Sequence, residues 1–218
     1  MALTLVIGNK RYSSWSLRPW LCMKACEIPF KEVRILIHKP DSFKRILKFS
    51  PAGRVPCLLD GKRHVWDSLS IMEYLAETFP KKHLWPKDKD ARATARSICA
   101  EMHSSFQDLR QRMNMNCVSY FPGKGLTPEV QKDIDRILKI WMDCRKKYGK
   151  KGPFLFGSFT IADAFYAPVV FRFRTYGVKV AALSRRYMHT MLHLEPMQEW
   201  FREALLEKET IKAYEQYR

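Results

Sequence analysis

The chain contains no apolar run approaching the roughly 20 residues that a membrane-spanning helix needs, so no such span is expected. Its first residues, Met1 to Ile7, have neither a basic n-region nor a small-residue cleavage site, and no signal peptide is expected. Closely paired cysteines are absent too. The six stand at 22, 26, 57, 99, 117 and 144, without zinc-type spacing. Reduced, mostly buried thiols in a cytoplasmic protein, with no metal, follow from that pattern. Cys22 and Cys26, four apart on an expected helix, are the one pair with a spacing suited to metal or redox chemistry, and no His or further Cys lies close in sequence. Acidic residues are scarce, 22 against 39 basic ones, which leaves a net charge of +17 and a pI near 9.8. Such a balance suits nucleic acid or an anionic membrane. Yet there is no zinc-finger pattern, no RNP-like run and no basic tail, and the basic residues are scattered. The charge reads as a solvated surface, with neither nucleic acid nor membrane as partner. Internal repeats and low-complexity segments are also missing.

What is present is a chain of 218 residues, 46% of them hydrophobic, enough for one large domain or two small ones. Its organising stretch runs from Arg54 to Tyr74. Cys57 to Leu59 is a short apolar run with Pro56 before it and Asp60-Gly61 after it, the pattern of a strand entering a tight hairpin. Val65-Trp66 returns as the second strand, and from Leu69 the apolar residues take helical spacing. Val55-Pro56 stands at a strand start, where Pro can be cis and can leave the backbone groups of the preceding residue free for a ligand. Asp67-Ser68 stands at a helix start, where N–H groups and the helix dipole favour an anion.

In chain order, Leu3–Gly8 reads as a buried strand, Asn9–Ser14 as a polar loop, and Trp15–Cys26 as a helix with Pro19 in its first turn. Lys31–Ile37 alternates as a strand, Ser42–Phe49 is a short helix, and the hairpin and its helix follow. This β-α-β-α-β-β-α order is that of a thioredoxin-like α/β domain, placed at residues 1–80. After a Pro-bounded linker, residues 88–218 read as an all-α helical bundle. It has one long helix over Lys89–Arg112, a second over Pro128–Tyr148, and a nearly all-apolar helix over 161–176. Thr160 and Asp163 form a capping box at the head of that last helix.

The Arg54–Tyr74 stretch resembles the glutathione-binding half of the glutathione transferases, and the capping box at 160–163 resembles that of their buried helix. The resemblance covers essentially the full length. It implies that Val55-Pro56, with the Pro cis, holds the cysteinyl backbone of glutathione, that Asp67-Ser68 holds its γ-glutamyl end, and that Arg54 reaches its glycyl end. Lys39 and Lys10 are further cations for a carboxylate, though each reads first as a solvated surface residue. The segment Ser13-Ser14-Trp15-Ser16 resembles the Ser-Ser-Cys-Ser segment of the zeta class, whose first Ser activates the thiol. By position that residue is Ser13, with Ser14 the runner-up and Tyr12 a third candidate. A helix N-terminus and a hydroxyl donor both favour thiolate and lower its pKa from about 8.5. Trp15 stands where zeta enzymes have Cys, a departure that bears on maleylacetoacetate isomerase activity. The first loop also lacks the Cys that omega-type enzymes use. The electrophile pocket is expected from Trp15, Met102, His103, Phe106 and Arg110, with Met113 at its margin and His103 as a candidate general acid or base.

The implied activity is conjugation of the glutathione thiolate, as co-substrate, to a small electrophile in a detoxifying homodimer. The alternatives are a zeta-like maleylacetoacetate isomerase and a non-catalytic glutathione-fold binding protein.

Overall fold

The computed structural model describes residues 3–218; Met1 and Ala2, at the head of the stretch read as leaderless, lie outside the described residues. The first part runs β1 (Leu3–Ile7), α1 (Ser14–Ala25), β2 (Phe30–Arg34), α2 (Ser42–Leu47), β3 (Cys57–Asp60), β4 (Arg63–Trp66) and α3 (Ser68–Thr78). The strands order β2-β1-β3-β4, with β1 parallel to β2 and antiparallel to β3. The period-2 pattern of β1 explains how the sheet is covered. Leu3, Leu5 and Ile7 enter the main core beneath α1 and α3, while Val6 joins Ile35, Ile46 and Cys57 on the face that α2 covers. The β3–β4 turn is made at Gly61, whose φ of +59° a side chain would disfavour.

The helical part follows as α4 (Lys89–Ser104), α5 (Gln107–Arg112), α6 (Pro128–Lys147), α7 (Ile161–Thr175), α8 (Ala182–Leu192) and α9 (Glu195–Leu205). Among the described residues no helix is long and apolar enough to cross a membrane. Helix α7 is buried along nearly all its length and packs on both α1 and α4. The capping box forms as the sequence implies. The Asp163 carboxylate accepts from Thr160 N at 2.8 Å and from Leu155 N at 3.0 Å. One core therefore runs without a break from Leu5 and Leu58 through Trp20, Leu75 and Cys99 to Phe165.

Three expectations need correction. The helix expected over Lys89–Arg112 breaks at Ser105-Phe106, because Phe106 takes a left-handed backbone (φ +65°) while its ring stays in the core. Arg110 then donates to the carbonyls of Ser105, at 2.9 Å, and Met102, bridging the break. Helix α1 begins at Ser14, so Pro19 lies in its second turn and leaves the Trp15 carbonyl without its i+4 donor. Ladder pairing in β2 ends at Arg34, although Ile35 N still donates to Ile7 O at 2.9 Å.

Candidate active site

The loop from β1 into α1 carries the serines. Ser13 is the N-cap residue of α1, yet its side chain makes no capping bond. Its hydroxyl is therefore not spent on capping; of the first-turn N–H groups of α1, that of Ser14 donates to Tyr12 O at 2.9 Å, while those of Trp15 and Ser16 have no intrahelical acceptor. The Ser13 hydroxyl donates to Ser16 Oγ at 2.7 Å, and Ser16 Oγ also accepts the Gly8 N–H at 3.1 Å. Ser14 Oγ accepts from Arg172 Nη2 at 3.4 Å. Tyr12 is engaged elsewhere. Its hydroxyl donates to Glu215 at 2.5 Å and its ring stacks on Tyr214. Burial, reinforced by the bond to Glu215, raises the pKa of this phenol. Tyr12 contributes a wall of the cleft, with its hydroxyl turned to the C-terminal segment.

The second constellation is built by β3 and α3. The Val55-Pro56 bond is cis. Asp67 caps α3, accepting from Leu69 N at 2.8 Å, with φ +70° and ψ +136°. That backbone conformation is costly for a residue with a Cβ, and such outliers concentrate at ligand sites. The other carboxylate oxygen of Asp67 lies 3.4 Å from His103 Nε2. Ser68 Oγ accepts from the buried Arg18 at 3.3 Å.

Two adjoining clefts join these pieces. The larger, about 770 Å³, is lined by Ser13, Ser14, Arg110 and Arg172 among others; the smaller, about 380 Å³, by Pro56, Asp67, Ser68 and His103. Trp15, Arg54 and Val55 border both. The expected hydroxyls, the Val-Pro backbone and the helix entrance thus open on one continuous surface.

The expected electrophile pocket holds in part. Trp15 and Arg110 line the larger cleft. Met102 on the apolar stripe of α4, which faces α7, and Phe106 and Met113 at the two ends of α5 are all buried in the core and line neither cleft. His103 stands at the Asp67 end instead, and burial lowers its pKa from 6.5 despite the opposing pull of Asp67. Lys10 is no surface lysine. It is 1% exposed, bonded to Glu32 at 2.7 Å and to Glu203, and lies against the Trp20 and Trp200 rings. Lys39 does line the larger cleft.

Sequence reasoning named Arg110 but missed Arg18 and Arg172. Arg18 packs between the Trp15 and Phe165 rings. Arg110 lies over Trp15, and Arg172 donates to the Met113 carbonyl as well as to Ser14. Burial, and then mutual repulsion with Arg110, pulls Arg18 and Arg172 down to about 9. Both remain cations at neutral pH. Among the described residues none of the three bonds to a carboxylate. A single Arg within the apolar run 161–173 is the signal that would have pointed to Arg172.

Two family models match the chain, "Glutathione S-transferase, N-terminal domain" over residues 12–78 and "Glutathione S-transferase, C-terminal domain" over residues 119–202. The chain belongs to the glutathione S-transferase family. A probable maleylacetoacetate isomerase of Caenorhabditis elegans is 35% identical over 96 residues, 44% of each chain, so this match spans less than half of that relative. A stringent starvation protein A homolog of Coxiella burnetii is 25% identical over 183 residues, 83% of each chain. Among solved structures, a Burkholderia glutathione transferase homolog with bound glutathione superposes with a TM-score of 0.71 at 21% identity. That match covers 95% of this chain and 100% of the other, and shows that the glutathione S-transferase fold is shared.

Proposed function

We propose that this glutathione S-transferase binds glutathione across the two clefts, its γ-glutamyl end in the smaller, and adds the thiolate to an electrophile held in the larger one. The supporting observation is the single surface that brings together the Val55 backbone, the α3 entrance at Asp67-Ser68 and the hydroxyls at the head of α1. In this reading the α-amino group of the γ-glutamyl end meets the Asp67 carboxylate. Its α-carboxylate meets the Ser68 hydroxyl and the N-terminus of α3, with the Arg18 guanidinium behind. The glycyl carboxylate lies toward Arg54, which borders both clefts, and Lys39.

The sulfur then points at Ser13. Hydroxyl hydrogens rotate, so Ser16, fixed by the Gly8 N–H, turns its own proton to Ser13, and Ser13 donates to the thiolate. Each hydroxyl in that chain accepts one bond and donates one. The thiol proton is lost to solvent. The thiolate lone pair forms the new S–C bond, and either a leaving group departs with its bonding pair or an activated double bond takes up a proton from water. A charge-assisted bond and a helix terminus together favour thiolate by one to two pKa units, about 1.4 kcal/mol each.

Arg110 and Arg172, which line the larger cleft, favour a second, narrower reading, an electrophile that itself carries a carboxylate. Reversible addition of thiolate to a conjugated double bond, rotation, and expulsion of the thiolate would make the same site an isomerase of zeta type, with Trp15 in place of the zeta Cys. A detoxifying role in the cytoplasm and a homodimeric assembly belong to the same proposal, as does a division of labour at residues 80–88 between glutathione and electrophile. The six unpaired thiols agree with a reducing setting.

Calorimetry with glutathione and turnover on a chlorinated nitrobenzene and on a maleyl diacid test the reading. Binding with turnover of either electrophile supports it. Tight binding with no turnover across a wider panel favours the non-catalytic alternative, and no binding removes both.

A further inference from the structure

A second groove, of about 520 Å³, lies where the end of α7, the connection 177–180 and α8 meet, and none of its lining residues borders the catalytic clefts. Its floor is apolar, made by Val178, Val180, Met188 and Leu192. Its rim is cationic, with exposed Arg174, Lys179 and Arg185. No carboxylate lines it. The sequence shows the same bias, since no Asp or Glu occurs from Ala164 to Leu194.

A basic rim on a basic protein is not by itself informative. What sets this rim apart is that neither the groove's lining nor the chain from Ala164 to Leu194 contains a carboxylate, whereas some surface cations elsewhere on the helical part are matched: Arg136 with Glu101 at 2.6 Å, Lys139 with Asp143 at 2.8 Å, Arg202 with Glu195 at 2.6 Å. Among the described residues Arg174, Lys179 and Arg185 meet no carboxylate. Arg185 instead donates to the Val180 carbonyl at 3.4 Å, closing the groove floor against the rim. Helix α8 presents Arg185, Met188 and Leu192 at i, i+3 and i+7 spacing over its 11 residues, about 16 Å of helix face. An apolar strip of that length with a cationic edge can receive about three turns of an amphipathic helix whose own anchors fall at i, i+3, i+4 and i+7 and whose flanks are acidic.

We infer that this groove is a docking surface for an acidic amphipathic helix of a partner protein. The partner's leucine-like residues seat on Met188, Leu192, Val178 and Val180, and its carboxylates meet Lys179, Arg185 and Arg174. This surface is independent of the thiol chemistry.

The test uses the full chain and a fluorescein-labelled peptide of about 16 residues, long enough to be helical, built from Glu and Leu with the leucines at i, i+3, i+4 and i+7. Fluorescence anisotropy is read with glutathione present in excess. The wild-type chain is expected to bind. The double variant Lys179→Glu/Arg185→Glu is expected to weaken binding by about tenfold or more, with unchanged circular dichroism and glutathione affinity. Lys150→Glu/Lys151→Glu, the same charge change on another exposed face, is expected to leave it within about twofold. A peptide with Ser for Leu is expected not to bind. Equal weakening by both double variants would reduce the effect to the general field and overturn the proposal. So would equal binding of the serine peptide, or anionic phospholipid vesicles outcompeting the peptide at the same residues.

Discussion

Ser13 and Ser14 are adjacent, both nearly buried, and both at the head of α1, yet their surroundings give them different work. Ser13 ends a hydroxyl chain that begins at a backbone N–H, whereas Ser14 accepts from a guanidinium. Ser13→Ala is therefore expected to raise the pKa of bound glutathione by one to two units while affinity changes by less than about threefold, because the proposed binding contacts lie at Val55, Asp67 and Ser68. Ser14→Ala is expected to leave that pKa in place. A pH titration of thiolate absorbance in the two variants checks this, and a shift in the Ser14 variant alone would move the donor by one residue. Arg172 lines the larger cleft, the place proposed for the other substrate. Arg172→Gln is expected to lower kcat/KM for a carboxylate-bearing electrophile by about tenfold to a hundredfold. For a neutral chlorinated nitrobenzene it should change by less than about threefold, as read in parallel steady-state assays. At this scale the sequence was informative only where a local pattern existed. Asp67-Ser68 announced themselves as a helix entrance. Arg18 and Arg172 did not, because what makes them functional is the approach of α1 to α7, residues far apart in the chain.

Among the elements, α7 is the one on which the others rest, and its head is held by a charged group with no solvent. Asp163 is fully enclosed, and burial pushes its carboxyl up to about 6 in spite of the bonds from Leu155 and Thr160. A carboxyl with a raised folded-state pKa favours the fold below the unfolded value, near 3.8, and that contribution is lost as pH rises through about 6. Asp163→Asn removes this dependence. Its stability relative to wild type is expected to rise by about 1–2 kcal/mol between pH 5 and pH 8, measured by urea unfolding at each pH. A flat difference would mean that the folded carboxyl titrates where the unfolded one does. Thr160→Ala removes the cap and also the Thr160 Oγ1 bond to the Asp163 carboxylate at 3.1 Å, so it is expected to cost about 1 kcal/mol at pH 5 and more at pH 8, where Asp163 is ionised. Helices and hairpin were legible because propensity, turn residues and caps are local signals. The break at Phe106 was not, since a left-handed Phe carries no sequence mark and is held by Arg110 donating back to Met102 and Ser105. That break takes α5 off the α4 axis and leaves Arg110 at the cleft and Phe106 in the core, the reverse of a uniform helical stripe.

For the whole molecule the question is what holds the sheet to the helical part at the site. Besides the continuous core, Lys10 forms a buried clip. It leaves the first loop beside the serines, lies against the Trp20 and Trp200 rings, which meet edge to face, and reaches Glu32 and Glu203, and its carbonyl accepts the Trp200 indole N–H at 2.8 Å. Glu207 completes the join by accepting the Lys10 N–H at 2.7 Å, the Arg11 N–H at 3.0 Å and Arg34 at 2.9 Å. Lys10→Ala is expected to cost about 1–2 kcal/mol, read as a lower urea midpoint, because it removes the buried stem packed on the Trp20 and Trp200 rings, while exposed Glu32 keeps the Trp20 indole N–H and the Trp200 bond to the backbone survives. The family architecture was legible in the linear order of elements; the clip was not, since Lys10 in a polar loop looks like any surface lysine until α9 arrives.

The central claim is that glutathione binds this surface as a thiolate. Thiolate absorbance of the wild-type protein saturated with glutathione, followed across pH, tests it most directly. The account predicts a bound thiol titrating one to two units below the free value of about 8.5. Saturating binding with a thiol that still titrates at or above that value, or no binding, would contradict it.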